Sequence, residues 1–211
     1  MHPTLLDRIL LLATGLVAIY LMWRFASRYR QSKKLYDVYY LLGFAVLLVS
    51  GLLLIALDYR ILASPYVLTV ASLIPLGISL GVANQYFPAW KKAFAWFALI
   101  GFLAIAITSI AGLAALKKIA VPLFHGVAGL VIFLGPFLAK KAPKGFWWVG
   151  VGGALIGIGG IALAFLSVGK PLLGVFTAEL VFTILSPLLF LMTLAFAWGF
   201  VKDLRATTLN R

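Results

Sequence analysis

One acid and a row of hydroxyl groups lie inside the last apolar segment of this chain. Residues 172–200 are almost entirely apolar, yet they include Glu179, Thr183 and Ser186. Offsets of four and seven residues place these three side chains on one face of a helix. An ionisable group in a membrane helix is costly and therefore marks a functional hypothesis. The pattern predicts a polar stripe that points into a helix bundle, where Glu179 would accept a proton or bind a cationic or hydroxylated solute.

A second ionisable side chain, His125, lies in another apolar segment, at a depth close to that of Glu179. A carboxylate and an imidazole at one depth can share a proton, form a relay or bind a polar ligand. In the third apolar segment, Ser72 and Ser79 share one helix face and complete the candidate ligand or proton site. The alternative left open is that each polar group bonds a hydroxyl or a carbonyl and serves helix packing.

The elements that would hold these side chains are seven apolar stretches. Hydrophobic residues make up 64% of the 211 residues and charged residues only 11%, whereas soluble domains carry about 25% charged residues. A bilayer core requires ~20 apolar residues of helix. The stretches that meet this length run approximately over 4–23, 37–57, 61–86, 93–115, 119–138, 146–168 and 172–200. They predict an all-α bundle of seven transmembrane helices in one domain, 1–211; six spans would require a re-entrant segment.

The basic residues predict the orientation of these helices. Thirteen of the 18 lysines and arginines follow the first, third, fifth and seventh stretches. The positive-inside rule then places the N-terminus outside and the C-terminus in the cytoplasm. We expect a multi-pass protein of the plasma membrane whose basic loops meet anionic lipid head groups. The net charge of +13 is distributed among these loops, so nucleic acid is not an expected partner.

Glycines and prolines predict how the helices pack and bend. Four glycines of the sixth stretch recur at spacings of three and four and share one face: Gly150, Gly153, Gly157 and Gly160. Such a face lets another helix approach closely. A helix of the same chain is the favoured partner, and a second copy stays open.

Two prolines, Pro75 and Pro187, lie near the middle of the third and seventh stretches and predict helix kinks. The sequences around them, SLIPLGISL and ILSPLLFLM, are loosely alike. A parallel repeat of three helices would explain this likeness, and such repeats are common in transporters.

The sequence offers no set of residues for catalysis, a metal or a cofactor. There is no cysteine and there are only two histidines, so thiol chemistry and most zinc sites are excluded. The predicted span count and orientation resemble those of microbial rhodopsins, but residues 172–200 contain no lysine to which retinal would attach. No nucleophile, base and metal can be assembled. We therefore expect neither an enzyme nor a bound cofactor.

Two functional hypotheses remain from the sequence. The first is a small transporter or permease-like protein with an outward-facing polar cavity around Glu179 and His125. The second is a non-catalytic seven-helix sensor or an accessory subunit of a larger membrane complex, and a homo-oligomer is compatible with both. One further acid, Asp37, follows a basic loop and is expected to pair with Lys33, Lys34 or a neighbouring loop.

Overall fold

The computed structural model describes the backbone of residues 2–167 and 177–209, and the side chains of 2–160, 177 and 179–206. A short 3-10 helix, Tyr59–Ala63, precedes the third span. The α-helices are α1 (Leu5–Ser32), α2 (Leu35–Leu57), α3 (Pro65–Ala71), α4 (Leu73–Tyr86), α5 (Lys91–Ile110), α6 (Ala114–Leu138), α7 (Trp147–Ser167) and α8 (Ala178–Leu209). Because α3 and α4 are two parts of one broken helix, the fold is an all-α arrangement of seven helices.

Six helices in the described part of the chain are long and apolar enough to cross a membrane. They are Leu5–Ser32, Leu35–Leu57, Pro65–Tyr86, Lys91–Ile110, Ala114–Leu138 and Glu179–Ala206. These helices fit a multi-pass integral membrane protein. The described side chains of α7 end at residue 160, so its apolar segment, Trp147–Gly160, is too short to be counted. The seventh span, the orientation and the plasma membrane location stay predictions.

Helix α1 continues well beyond residue 23, where its apolar stretch was predicted to end. It ends at Ser32, and Lys33 then takes the left-handed conformation with φ 54° and donates its N–H to the Tyr29 carbonyl. The residues between contain arginine, alanine and glutamine, which are good helix formers although they are not all apolar. Hydropathy marks the extent of lipid contact, whereas the helix itself persists until a backbone cap stops it.

The third span is interrupted at Ser72, between α3 and α4. Pro75 lies three residues further on and has no N–H for the carbonyl of the preceding turn, which explains the interruption. The Ser72 hydroxyl donates to the Thr69 carbonyl at 2.6 Å. Pro187, by contrast, lies inside an unbroken α8, and a kink there stays a prediction.

Six helices form a closed ring. Along it, α1, α2, α4, α6, α7 and α8 each contact the next, and α8 returns to α1. Helix α5 lies outside the ring, against α3, α4 and α6. We define the basic end of the ring as the end at which α1, α4 and α8 terminate.

Fully buried aromatic rings fill the ring of helices towards the basic end. They are Phe25, Tyr40, Phe44, Phe146, Phe196 and Phe200. Tyr40 and Phe200 have ring centroids 4.7 Å apart, and Phe25 stacks on Tyr40 at 4.8 Å. These large rigid rings fix the spacing of the three helices, α1, α2 and α8, and of the α6–α7 loop that carry them.

The predicted glycine face of α7 contacts α6 through only two of its four members. A Cβ at Gly153 would lie 2.7 Å from backbone atoms of Ile132 and Phe133, and one at Gly150 would lie 2.7 Å from the Phe133 carbonyl oxygen. A Cβ at Gly157 or Gly160 would meet no described atom within 4 Å. The close crossing is therefore confined to the part of α7 nearer the basic end.

Candidate functional site

The predicted polar stripe of α8 divides into an exposed part and a buried part. Glu179 and Thr183 are exposed, whereas Ser186 and Thr193 are fully buried. At about 100° per residue, Ser186 and Thr193 lie about 60–80° around the helix from Thr183, so the edge of the buried face passes between them. The expectation that the whole stripe points into the bundle is therefore wrong for Thr183. It is wrong for Glu179 for a different reason: this residue lies only about 20° around the helix from Ser186, but it is the second residue of α8 and is exposed there.

His125 and Glu179 are not brought together. His125 is half-buried on α6, and its Nδ1 lies 3.0 Å from the Val121 carbonyl oxygen. Helix α7 contacts both α6 and α8 and lies between them in the ring. Among the described side chains, no hydrogen bond or ion pair joins the imidazole to the carboxylate. The two side chains are therefore not positioned for a proton relay in this structure.

The buried serines of the third span are bonded inside their own helices. The Ser72 hydroxyl donates to the Thr69 carbonyl, and the Ser79 hydroxyl donates to the Leu76 carbonyl at 3.0 Å. Thr193 of α8 likewise donates to the Leu189 carbonyl at 2.7 Å. A hydroxyl that already donates its hydrogen bond to its own helix cannot donate the same bond to a solute. These contacts match the packing alternative for these residues.

Ser186 is the candidate residue that bonds to another helix. Its hydroxyl donates to the carboxylate of Asp7 on α1. Asp7 also completes a capping box, because it accepts the Thr4 backbone N–H at 2.9 Å while the Thr4 hydroxyl accepts the Asp7 N–H at 3.2 Å. The carboxylate is buried, at 8% exposure. We call this contact the Asp7–Ser186 junction, and it ties α8 to the N-terminus of α1.

Tyr59, in the 3-10 helix, borders the junction. Its ring stacks on Phe182 of α8 with centroids 5.4 Å apart. Burial, and then the negative charge of Asp7, raise the pKa of the Tyr59 phenol above its ordinary value. The phenol therefore remains neutral at physiological pH and adds no second charge beside Asp7.

Replacing Asp7 by alanine should lower the free energy of unfolding by about 2 kcal/mol. About 1 kcal/mol comes from the lost helix cap and about 1 kcal/mol from the buried Ser186 hydroxyl that loses its partner. Unfolding in mixed detergent micelles measures the change. Glu179→Ala is the matched control, because this acid is exposed and its removal should change stability by no more than ~0.5 kcal/mol. Equal effects of the two substitutions would contradict the assignment.

Three buried charged side chains meet at the basic end. Arg28 of α1 lies between Asp37 of α2 and Asp203 of α8. Its Nε donates to Asp37 Oδ1 at 2.6 Å, and its Nη1 donates to Asp203 Oδ2 at 2.6 Å. All three residues are nearly inaccessible, at 6%, 0% and 3% exposure respectively.

Neutral groups of α4 complete this arrangement, which we call the Arg28 cluster. The Tyr86 hydroxyl donates to Asp203 Oδ1 at 2.5 Å, and Gln85 Nε2 donates to the same oxygen at 2.9 Å. The Tyr40 hydroxyl of α2 donates to Gln85 Oε1 at 3.0 Å. The cluster therefore joins α1, α2, α4 and α8 through charged and neutral hydrogen bonds, as buried charges require.

This cluster was not predicted from the sequence, because Arg28 follows the apolar stretch 4–23 and was counted among the basic loop residues. Asp37 bonds Arg28 and the Ser32 hydroxyl, whereas its expected partners were Lys33, Lys34 or a neighbouring loop. Since α1 continues to Ser32 and α2 begins at Leu35, the chain reverses within two residues. That tight reversal brings Arg28 and Asp37 side by side. The sequence did contain a pattern that indicates this contact: an arginine lies five residues before the reversal, and an acid lies shortly after it.

The depth of the Arg28 cluster follows from neighbouring tryptophans. Trp23 and Trp198 are exposed, at 63% and 59%, and tryptophan prefers the interface between lipid tails and head groups. Arg28 and Asp203 each lie five residues further along their helices, about 7.5 Å at 1.5 Å per residue. The charges therefore lie at head-group level, where the packed helices rather than the lipid tails exclude water.

No family model, curated protein or solved structure matches this chain. The contacts that bear on its function are the Asp7–Ser186 junction at one end of α1 and the Arg28 cluster at the other.

Proposed function

We propose that this protein is a non-catalytic integral membrane protein, a sensor or an accessory subunit of a larger membrane complex. The observation that carries this proposal is the Arg28 cluster. It places three charged side chains in contacts between helices. The serines considered for a solute site, Ser72 and Ser79, bond to their own backbone. The buried charged groups of the described residues thus serve contacts between helices.

A buried ionic network favours one arrangement of helices more than it adds stability. Replacing such a network by apolar residues is often neutral, whereas removing one member leaves an uncompensated charge. The Arg28 cluster holds α8 to the α1–α2 hairpin. The cluster and the aromatic rings beside it join the same helices, so a signal from this hairpin can reach α8 through this contact as well as through the Asp7–Ser186 junction.

The peripheral helix α5 supports the accessory-subunit form of the proposal. It packs against the bundle on one side, and its outer face carries exposed apolar side chains: Trp96, Leu99, Ile100, Leu103 and Ile107. Such a face is satisfied either by lipid tails or by a helix of another membrane protein.

Reconstitution in vesicles tests this proposal against transport. We expect proton and solute flux no higher than in empty vesicles, for both the native chain and Glu179→Gln. Gentle extraction from native membranes followed by cross-linking should yield an assembly larger than one chain if the protein is a subunit. A flux that Glu179→Gln abolishes, with folding unchanged, would overturn the proposal.

A permease is the second candidate because glycines leave the surface of α6 bare beside His125, and part of α7 bare as well. A Cβ built at any of four glycines there meets no described atom within 4 Å: Gly126, Gly129, Gly157 and Gly160. His125 lies on α6 next to the first of these. For a permease we would expect flux that His125→Ala reduces at least tenfold, whereas the same substitution leaves a sensor or subunit without flux.

A further inference from the structure

An apolar groove runs along the outer surface of the bundle between α7 and α8. It has a volume of about 450 Å³, and its lining includes Trp148 and Leu155 of α7 and Leu191 and Trp198 of α8. The two helices are antiparallel and touch closely beneath it, since a Cβ at Gly199 would lie 2.7 Å from the Val149 nitrogen. The groove is therefore shallow, and its floor is closed by helix contact.

The groove extends from the membrane interface towards the middle of the bilayer. Trp148 and Trp198 line the part of the groove that is nearer the basic end of the bundle, and Trp198 is 59% exposed. Leu155 and Leu191 lie seven residues further along their helices, about 10 Å at 1.5 Å per residue. Tryptophan prefers the interface. The groove therefore runs in the same direction as a lipid acyl chain whose head group lies beside the tryptophans.

Positive charge gathers at the tryptophan end of the groove. The Lys202 ammonium lies 5.1 Å from the centre of the Trp198 ring. Its side-chain stem passes the α6–α7 loop, because a Cβ at Gly145 would lie 3.1 Å from Lys202 Cγ. Lys144, beside this glycine, is exposed. Asp203, the sequence neighbour of Lys202, bonds Arg28 inside the bundle, so its charge does not face the mouth of the groove.

We propose that this groove binds one acyl chain of an anionic phospholipid from the adjoining leaflet. The lipid phosphate then lies at Lys202 and Lys144, and the chain lies along the tryptophans and leucines. Charge selects the lipid class, since one lysine near the membrane surface strengthens attraction to anionic lipid about fivefold. This site does not depend on whether the protein is a sensor, a subunit or a permease.

Spin-labelled lipids test this site in the full-length chain. Phosphatidylglycerol and phosphatidylcholine, each labelled on the acyl chain, are compared for immobilisation by the reconstituted protein. We expect the native chain to prefer phosphatidylglycerol, and Lys202→Gln to lower that preference about fivefold. Leu191→Trp fills the groove from an exposed position and should reduce immobilisation of both lipids at this site.

The matched control lies on α5, where Lys92 and Trp96 are both exposed and four residues apart, the same spacing as Trp198 and Lys202. Helix α5 packs against α3, α4 and α6, away from the groove between α7 and α8, so Lys92→Gln should leave the lipid preference unchanged. An equal loss in Lys92→Gln and Lys202→Gln would show diffuse surface charge and overturn the proposal. Unchanged immobilisation in Leu191→Trp would overturn it as well.

A partner protein is the other occupant that the experiment can detect. The chain contains no cysteine, so Leu194→Cys introduces a single thiol at the groove, where Leu194 is 40% exposed. A thiol-reactive cross-linker applied in native membranes should give no adduct with another protein. A specific adduct with a second chain would overturn lipid occupancy.

Discussion

Replacing Arg28 by alanine should lower the free energy of unfolding by about 3–5 kcal/mol, the usual cost of removing one partner of a buried ion pair. The guanidinium lies within 2.6 Å of carboxylate oxygens of both Asp37 and Asp203. Without it, two buried carboxylates face each other at the junction of four helices with no cation between them. Unfolding in mixed detergent micelles measures the loss.

Arg24 provides the control for this prediction. It lies on the same helix, one turn before Arg28, and donates to the Tyr20 hydroxyl at 2.9 Å on the exposed surface. Because exposed polar contacts contribute little, Arg24→Ala should change the free energy of unfolding by no more than ~1 kcal/mol. A loss in Arg28→Ala no larger than in Arg24→Ala would show that the cluster does not hold the helices together.

A rescue experiment separates the uncompensated charge from lost packing. Arg28→Met combined with Asp37→Asn and Asp203→Asn removes all three charges and keeps side chains of similar length. We expect this triple variant to regain most of the stability lost in Arg28→Ala, since neutral replacements of buried ionic networks are often tolerated. If the triple variant is no more stable than Arg28→Ala, packing rather than charge explains the loss.

Replacing Gly153 by alanine should lower the free energy of unfolding by about 1–3 kcal/mol, the usual cost of overpacking a core. The new methyl group would lie 2.7 Å from backbone atoms of Ile132 and Phe133. Backbone atoms of a neighbouring helix cannot rotate aside as a flexible side chain can, so α6 and α7 would have to separate. Unfolding in mixed micelles again measures the effect.

Gly157 is the matched control on the same helix face, one turn further on. Its Cβ position meets no described atom within 4 Å. Alanine is favoured over glycine inside a helix by up to ~1 kcal/mol, so Gly157→Ala should leave stability unchanged or raise it. Destabilisation of similar size by both substitutions would contradict a crossing confined to Gly150 and Gly153.

Hydropathy alone predicted the helical class and most helix positions. The structure confirms an all-α fold, and six of its helices have the length and apolar character of membrane spans. This success has a simple cause: a backbone in lipid must satisfy its own hydrogen bonds, so long apolar stretches become helices whatever their neighbours are. The apolar stretch 4–23 did not predict where α1 ends, because the helix continues to Ser32 beyond that stretch.

The candidate site could not be predicted as well, because burial on a helix depends on its neighbours. Spacing placed Glu179 and Ser186 on one face, yet Glu179, at the start of α8, is exposed, and Ser186, two turns further on, is buried. Depth alone suggested that His125 and Glu179 could meet, but the helix order in the ring places α7 between α6 and α8. The periodicity of a single segment predicts neither which part of a helix is buried nor the order of the helices around the ring.

The sequence by itself determined that this chain is a set of apolar helices with basic residues concentrated at alternate loops, because hydropathy and charge are local properties. Only the tertiary structure decided which polar groups are partners. It joined Arg28 to Asp203 across 175 positions of sequence and Ser186 to Asp7 across 179. Both pairs depend on α1 and α8 lying parallel and adjacent, and that adjacency arises from packing among all the helices of the ring.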